Sequence, residues 1–253
     1  MPPAKQRTAA RHSGKPAPGC VEDRARTAIE WLKRRATKKT RDGMARYAIP
    51  STHAFGVPVG TIRGLGKELG RDHALAEALW ASGWYEARLL AAFVDEPEQV
   101  TLSQMNAWAA GFDSWAVVDT VCFCLWDRSP QAWKKAPQWA TARPEFVKRA
   151  GFVLMACLAA HDRTASDAAF LKCLPLIERG ATDDRNFVKK GVNWALRGIG
   201  ERSQALNTAA VAVATRLAGS DSAAARWVGK DALRQLDSAA VRARLARRMN
   251  ASG

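Results

Sequence analysis

Apolar residues recur at helical spacing along almost the whole chain from Val21 onward, and this periodicity limits the fold more than any other feature. Few windows show the strict alternation of apolar and polar residues that is typical of strands. Pro or Gly interrupts the pattern roughly every 12 to 25 residues, as at Pro50, Pro58, Gly83, Pro97, Pro130, Pro144 and Gly180. The pattern predicts an all-α fold of about ten to twelve helices.

The N-terminal segment differs from the rest in composition. Residues 1–20 hold four prolines, two glycines and almost no large apolar side chains, so burial there cannot offset the entropy cost of ordering. Their charges are all basic: Lys5, Arg7, Arg11 and Lys15. We therefore predict a disordered basic tail over residues 1–20 and a single α-helical repeat domain over residues 21–253.

The charge balance indicates an anionic partner. The chain carries 39 Lys and Arg against 24 Asp and Glu, a net charge of +15, and the tail supplies only four of those positive charges. A fold that is itself basic favours nucleic acid as the ligand. A scaffold for acidic protein partners remains an alternative, and it predicts that DNA binding depends only weakly on salt.

No metal, cofactor or membrane is expected. The five cysteines and four histidines show neither a CxxC pair nor a spacing suited to zinc, and no histidine motif accompanies Ser114 or Cys122 to suggest a hydrolase. No apolar run is long enough to span a bilayer, and residues 1–20 lack a signal-peptide core. We expect a cytoplasmic monomer with reduced thiols, associated with a bacterial-type nucleoid.

Several segments share one local pattern, in which charged and small residues precede bulky apolar ones. They are EARLLAAFVDE (86–96), KRAGFVLMACLA (148–159), KKGVNWALRGIG (189–200) and ARWVGKDALRQL (225–236). Their basic members Arg88, Arg149, Lys190 and Arg226 are 61, 41 and 36 residues apart. These spacings bracket the period of a two-helix repeat array, and an irregular helical bundle is the alternative.

One predicted helix presents an indole and a carboxylate together on its non-core side. In SWAVVDTVCFCLW (114–126), Ser114 is a candidate N-cap. At 100° per residue one side of this helix gathers Val117, Val118, Val121, Cys124 and Leu125. Trp115 and Asp119 fall on the opposite side, one turn apart. Off-core tryptophans taken singly are more often packing residues.

Two further helices place basic residues away from their core faces. In NFVKKGVNWALRGIG (186–200), Trp194 lies away from the apolar stripe, with Lys190 and Arg197 on the same surface. In FVKRAGFVLMACLA (146–159), Arg149 also lies off the stripe. Basic residues interleaved with off-core aromatics and a single carboxylate suit an enzyme that faces DNA.

Five segments together resemble the DNA alkylation repair glycosylases of the AlkD type. They are RDGMARYAIP (41–50), GVPVGTIRGLGKEL (56–69), FDSWAVVD (112–119), FVKRAGF (146–152) and NFVKKGVNWALR (186–197), and the likeness spans most of residues 21–236. The resemblance implies a HEAT-like or ARM-like helical repeat solenoid whose concave basic face binds DNA. Ala116 departs from the family, in which Asp often follows the first Trp.

The resemblance also assigns roles to residues. It implies that Asp119, Trp115 and Trp194 form the catalytic cleft that holds the damaged nucleotide. DNA contacts are expected beside them, from Arg149, Arg197, Lys190, Lys148 and Lys189. No cofactor is required.

The implied activity is that of a base-excision-repair DNA glycosylase. It would hydrolyse the N-glycosidic bond of cationic N3- or N7-alkylated purines in duplex DNA, such as 3-methyladenine or 7-methylguanine, and leave an abasic site without a deep pocket for a flipped base. Asp119 would stabilise the oxocarbenium-like transition state, and the two indoles would attract its charge. The alternative is a non-catalytic HEAT-like protein that binds damaged or branched DNA.

Overall fold

The computed structural model describes residues 19–250, and every regular element in that range is helical. The predicted tail lies outside the described residues, except for Gly19 and Cys20. Short 3₁₀ turns occur at Met44–Tyr47, Pro97–Gln99 and Trp126–Arg128. The α-helices are α1 (Val21–Lys33), α2 (Lys38–Gly43), α3 (Val59–Leu69), α4 (His73–Ala81), α5 (Tyr85–Val94), α6 (Leu102–Ala110), α7 (Trp115–Cys124), α8 (Ala132–Ala140), α9 (Glu145–His161), α10 (Asp167–Leu171), α11 (Leu174–Gly180), α12 (Asn186–Gly200), α13 (Gln204–Ala218), α14 (Ala223–Leu236) and α15 (Ala239–Asn250).

The helices outnumber the expected ten to twelve because several are very short. Helices α2, α10 and α11 have 6, 5 and 7 residues. Two turns or fewer contain too few apolar positions to show a period of 3.6 residues, so the sequence pattern could not separate these helices. The predicted Ser114 cap is confirmed, because its side chain accepts from the backbone N–H of Ala116 at 3.2 Å. Thr101 caps α6 in a similar way and accepts from the backbone N–H of Gln104 at 3.1 Å.

The helices form two layers. In one layer α3, α5, α7, α9, α12 and α14 are successive neighbours, and α9 packs most extensively against α12. In the other layer α4 lies on α5, α8 on α9, and α13 on α14. Stacked helix pairs of this kind are the architecture of a helical repeat array, so the predicted repeat fold is confirmed. We call the first of these the inner layer.

Two glycines allow the paired helices to touch. A Cβ atom on Gly151 of α9 would lie 2.2 Å from the backbone nitrogen of Ala140 in α8, and one on Gly229 of α14 would lie 2.3 Å from that of Ala218 in α13. Backbone atoms cannot yield to such a contact. Glycine at these two positions therefore sets the distance between the layers.

Four tryptophans pack in the core between the two layers, which is the usual role of this residue type. The rings of Trp80 and Trp108 are stacked with centroids 4.1 Å apart, Trp126 lies 6.4 Å from Trp108, and Trp139 lies 5.2 Å from Trp126. All four side chains are buried. This aromatic row connects helices α4, α6 and α8 through the middle of the chain.

A buried carboxylate fixes the segment that precedes α3. Glu86 of α5 is fully buried and accepts hydrogen bonds from the backbone N–H groups of Phe55, Gly56 and Val57 at 3.0, 2.7 and 3.2 Å. Three charge-assisted bonds hold this loop against the inner layer. The loop in turn positions residues 44–50, which reach the N-terminal end of α7.

Three general features of the described residues bear on function. None of the helices within 19–250 is long and apolar enough to cross a membrane. No group of three His, Cys, Asp or Glu side chains in that range is arranged to hold a metal ion. The five cysteines are free thiols: Cys122, Cys157 and Cys173 are buried, Cys124 is half-buried and Cys20 is exposed.

Candidate functional site

Helix α7 carries the two residues that the sequence placed on a shared face. Its core side consists of Val117, Val118 and Val121, which are fully buried. Trp115 and Asp119 lie on the other side and are both partly exposed. The Ser114 cap starts the helix one residue before Trp115, so the indole and the carboxylate project from its first two turns.

Asp119 is held by a bidentate ion pair. Arg149 of α9 donates from Nε to Oδ1 at 2.9 Å and from Nη2 to Oδ2 at 2.7 Å, while its Nη1 donates to the backbone carbonyl of Phe187 in α12 at 2.6 Å. The exposed fraction is 6% for the Arg149 side chain and 19% for that of Asp119. The guanidinium therefore joins three helices of the inner layer and fixes the orientation of the Asp119 carboxylate.

Two opposing effects act on the acidity of Asp119. Burial raises the pKa of its carboxyl above the ordinary value, and the charge and hydrogen bonds of Arg149 pull the pKa back down. Because both oxygens accept from Arg149, this geometry requires the ionised carboxylate. The lone pairs that Arg149 does not use remain available to a ligand on the exposed side.

Trp115 lines a cavity of about 320 Å³ beside this ion pair. Its Nε1 donates to the backbone carbonyl of Tyr47 at 2.7 Å, and the Arg149 guanidinium carbon lies 6.0 Å from its ring centroid. Tyr47 itself is 64% exposed, and the residue after it, Ala48, has a left-handed backbone with φ of 51°. The lining residues are Arg46, Tyr47, Ala48, Trp115, Arg149, Asn186, Phe187 and Lys190.

The predicted lysines divide into two groups. Lys190 is exposed and lines the cavity. Lys148 instead forms an ion pair with Asp183 at 2.8 Å, and Lys189 lies 5.0 Å from the ring centroid of Trp227. Asp183 also accepts two hydrogen bonds from Arg185, so this cluster of one carboxylate and two cations keeps a net positive charge while Lys148 is held in place.

Trp194 and Arg197 of α12 do not line the cavity. Trp194 is half-buried against the core, one turn beyond Lys190, and is not among the described residues that line the cavity. Arg197 donates to Gln235 of α14 and lies 4.0 Å from Asp231. The structure therefore brings Trp115, Asp119, Arg149 and Lys190 together, while these two residues continue the surface toward α14.

Several residues of the site were not identified from the sequence. Arg46 and Tyr47 come from a 3₁₀ turn 68 residues before Trp115, and Phe187 contributes a backbone carbonyl. A carbonyl leaves no trace in a sequence pattern. The detectable sign was the segment RDGMARYAIP, which contains both Arg46 and Tyr47 and carried part of the family resemblance.

The cavity has exposed cations in its lining and a carboxylate held next to its wall by Arg149. Arg46 and Lys190 are exposed, and within the part of the chain that the structure describes they form no ion pair, so both can hold an anion. The indole of Trp115 lines the cavity as well, and the Asp119 carboxylate is bonded to the lining residue Arg149. Such a site suits a ligand with phosphate groups outside and a cationic centre inside.

Comparisons with known proteins identify the family and the fold. The family model described as DNA alkylation repair enzyme matches residues 28–236. The fold is similar to that of a solved protein described as a member of a new family related to the HEAT-like repeat DNA glycosylases with affinity for branched DNA structures. The two structures match with a TM-score of 0.69 and 21% sequence identity, and the match covers 83% of this chain and 95% of the other chain. No curated protein matches the sequence. The chain belongs to the family of DNA alkylation repair enzymes.

Proposed function

We propose that this protein is a DNA glycosylase that hydrolyses the N-glycosidic bond of N3- or N7-alkylated purines in duplex DNA and leaves an abasic site. One observation carries the proposal: Arg149, which lines an open cavity together with Trp115, holds the Asp119 carboxylate through two hydrogen bonds. The exposed cations Arg46 and Lys190 line the same cavity. Family membership supports action on alkylated DNA.

The chemistry requires stabilisation of a positive charge that moves from base to sugar. Alkylation at N3 or N7 makes the purine cationic, so the bond to C1′ breaks with both electrons going to the base, which leaves neutral. The deoxyribose becomes oxocarbenium-like and is attacked at C1′ by a water oxygen, whose proton is lost to Asp119 or to solvent. A carboxylate near C1′ lowers the energy of this cation.

Two neighbours shape the action of Asp119. Arg149 offsets part of the carboxylate's charge, and it also fixes the orientation of both oxygens before the substrate arrives, so no reorganisation is needed during bond cleavage. The π face of Trp115 adds cation attraction on the order of 0.5–2 kcal/mol. We propose the same contribution from Trp194, reached along the surface of α12.

The DNA backbone is assigned to the exposed cations. Lys190 and Arg46 at the rim are the proposed phosphate contacts nearest the lesion, and Lys189 and Arg197 extend them along α12. Lys148 and Arg149 are each held by a carboxylate, Asp183 and Asp119, so we assign them to positioning of the DNA-contacting surface. The small cavity is consistent with recognition through sugar and phosphate.

Release of methylated bases tests the proposal. Wild-type protein should release 7-methylguanine or 3-methyladenine from methylated duplex DNA, and Asp119→Asn should slow release by about 100-fold or more. Glu178→Gln is the matched control, because it also removes a carboxylate from a bidentate arginine pair, with Arg216, but between α11 and α13. Absence of release by the wild type would overturn the proposal.

The second candidate is a non-catalytic protein that binds damaged or branched DNA. Two observations favour it: both oxygens of Asp119 are occupied by Arg149, and the structural neighbour is described as having affinity for branched DNA. This candidate predicts tight binding of a branched substrate, no base release, and equal affinities for wild type and Asp119→Asn.

A further inference from the structure

A second and larger cavity opens on the inner layer, at the opposite ends of α7 and α9 from the Trp115 cavity. Its volume is about 590 Å³, within the range of sites that hold a nucleotide-sized ligand. The C-terminal parts of α3, α5, α7 and α9 all contribute to it. Its main side chains are Arg63, Lys67, Arg71, Arg128, Phe93 and Phe123. We refer to it as the basic pocket.

The four cations of the basic pocket retain unused donors. Among residues 19–248, neither Arg63 nor Lys67 forms an ion pair. Arg71 and Arg128 each donate to one backbone carbonyl at a helix end, those of Asp95 and Cys124. A guanidinium has five N–H groups, so most remain available.

Little negative charge faces these cations. Asp127 is buried and pairs with His161, besides lying 3.7 Å from Arg128. Asp95 is buried and binds His73 and Gln104. Burial lowers the pKa of Arg71 and the positive charge of Arg128 lowers it further, and together these outweigh the opposite effect of the carboxylates of Asp95 and Glu98.

Two aromatic rings stand among the cations. Phe123 is 41% exposed and meets the His161 ring edge-on at 4.5 Å between centroids. Phe93 is half-buried under the Arg63 guanidinium, 5.3 Å from its ring centroid. An open ring beside a cluster of cations is the combination that single-stranded nucleic-acid sites use, with phosphates on the cations and a base on the ring.

The basic pocket lies within reach of DNA held at Asp119. Phe123 follows Asp119 by one turn on α7 and is about 12 Å along the helix axis from Trp115. The same strip of α7 thus begins at the Trp115 cavity and ends in the basic pocket. A strand that passes Asp119 needs to extend by only a few nucleotides to enter it.

We propose that the basic pocket is a second DNA site, which holds an unpaired nucleotide with its phosphates on Arg63, Lys67, Arg71 and Arg128 and its base against Phe123. This inference rests on the proposed binding of DNA, but not on glycosylase chemistry. It predicts that the protein binds a duplex with a single-stranded extension more tightly than the same duplex with blunt ends.

Fluorescence anisotropy with two unmodified probes tests the ring contact. The probes share one duplex, and one of them carries a single-stranded extension of a few nucleotides. Phe123→Ala should weaken binding of the extended probe by about five-fold or more, the effect of removing one stacked base, and leave the blunt probe unchanged. Leu171→Ala, which truncates another exposed apolar side chain at α10, is the control and should change neither.

The charge contribution is measured by salt titration of the extended probe. Arg63→Ala and Lys67→Ala should each reduce the log-salt slope by about 0.7 to 0.9 for each phosphate that the variant no longer neutralises. Lys134→Ala removes an exposed cation from α8 in the other layer and should leave the slope unchanged. Slopes for the pocket variants that equal those of Lys134→Ala would overturn the inference.

A chemical readout locates the bound strand without altering the pocket. In a Cys20→Ser background Cys124, which lines the pocket, is the one thiol among the described residues that is not buried. The extended probe should slow its alkylation by iodoacetamide several-fold, and the blunt probe should not. Equal protection by both probes, or by neither, contradicts the proposal. Base release from a blunt-ended methylated duplex by the wild-type protein is scored separately, so failure of the glycosylase assignment is distinguished from failure of this inference.

Discussion

The ion pair between Asp119 and Arg149 makes a quantitative prediction about stability. Asp119→Ala leaves a guanidinium that is 6% exposed with the Phe187 carbonyl as its remaining acceptor. Removing one partner of a buried pair costs about 3–5 kcal/mol. For a domain of this size each kcal/mol lowers the melting temperature by about 2–4 °C, so the expected fall is on the order of 10 °C.

The double variant distinguishes an ion pair from independent packing. Arg149→Ala leaves no buried cation without a partner. The carboxyl of Asp119, which is 19% exposed, can become neutral by taking up a proton. The double alanine variant leaves neither charge uncompensated, so its free energy of unfolding should exceed the additive expectation by about 2 kcal/mol. Chemical denaturation followed by tryptophan fluorescence and circular dichroism measures all four proteins.

The Arg216 and Glu178 pair provides the control cycle. Its geometry is also bidentate, but its side chains are 58% and 34% exposed, so solvent screening should limit the coupling to about 1 kcal/mol or less. If the Asp119 cycle were additive within about 0.5 kcal/mol, or no larger than this control, the claim that Arg149 locks the carboxylate would be refuted.

Three other expectations follow from single contacts. Glu86→Gln turns an amide NH₂ toward the backbone donors of residues 55–57 and should lower the free energy of unfolding by about 2–4 kcal/mol; a change below 1 kcal/mol in chemical denaturation would contradict the anchoring role. Gly151→Ala should lower the free energy of unfolding by several kcal/mol through contact with the α8 backbone. Gly64→Ala, with open space around the site, should raise the free energy of unfolding by about 0.5–1 kcal/mol. Similar effects of the two substitutions would count against the packing argument. Burial raises the pKa of Asp162, but hydrogen bonds from the Trp133 indole and from residues 164 and 165 bring it down to about 2. The ionised carboxylate therefore stabilises the fold at a pH above its unfolded pKa, and this stabilisation is lost as the pH falls through about 2. The melting temperature should therefore fall more steeply between about pH 4 and pH 2 in the wild type than in Asp162→Ala, and parallel curves would contradict this.

The elements that the sequence predicted well are those set by local patterns. The apolar period identified the all-helical fold, and the Ser114 cap with the valines behind it placed Trp115 and Asp119 on one exposed side of α7. Both depend on residues within a few turns of each other. Side-chain positions within one helix follow from its geometry alone.

Contacts between distant segments were beyond the sequence pattern. The pair of Asp119 with Arg149 joins positions 30 residues apart, and the bond from Trp115 to the Tyr47 carbonyl spans 68 residues. The position of Arg149 off the apolar stripe showed that this side chain avoids the core face of its own helix. It could not show that Asp119 of α7 would pair with the guanidinium. Arg197 was subject to the same limit, because Gln235 and Asp231 lie on α14.

Single-turnover base release tests the central claim most directly. An oligonucleotide duplex with one 7-methylguanine is mixed with excess wild-type protein, Asp119→Asn or Glu178→Gln, at concentrations that saturate binding, and release of the base is followed in time. We expect release by the wild type and by Glu178→Gln at the same rate, and a rate at least about 100-fold lower, or about 2.7 kcal/mol in activation free energy, for folded Asp119→Asn. Equal rates for wild type and Asp119→Asn would contradict the assignment of Asp119 to bond cleavage.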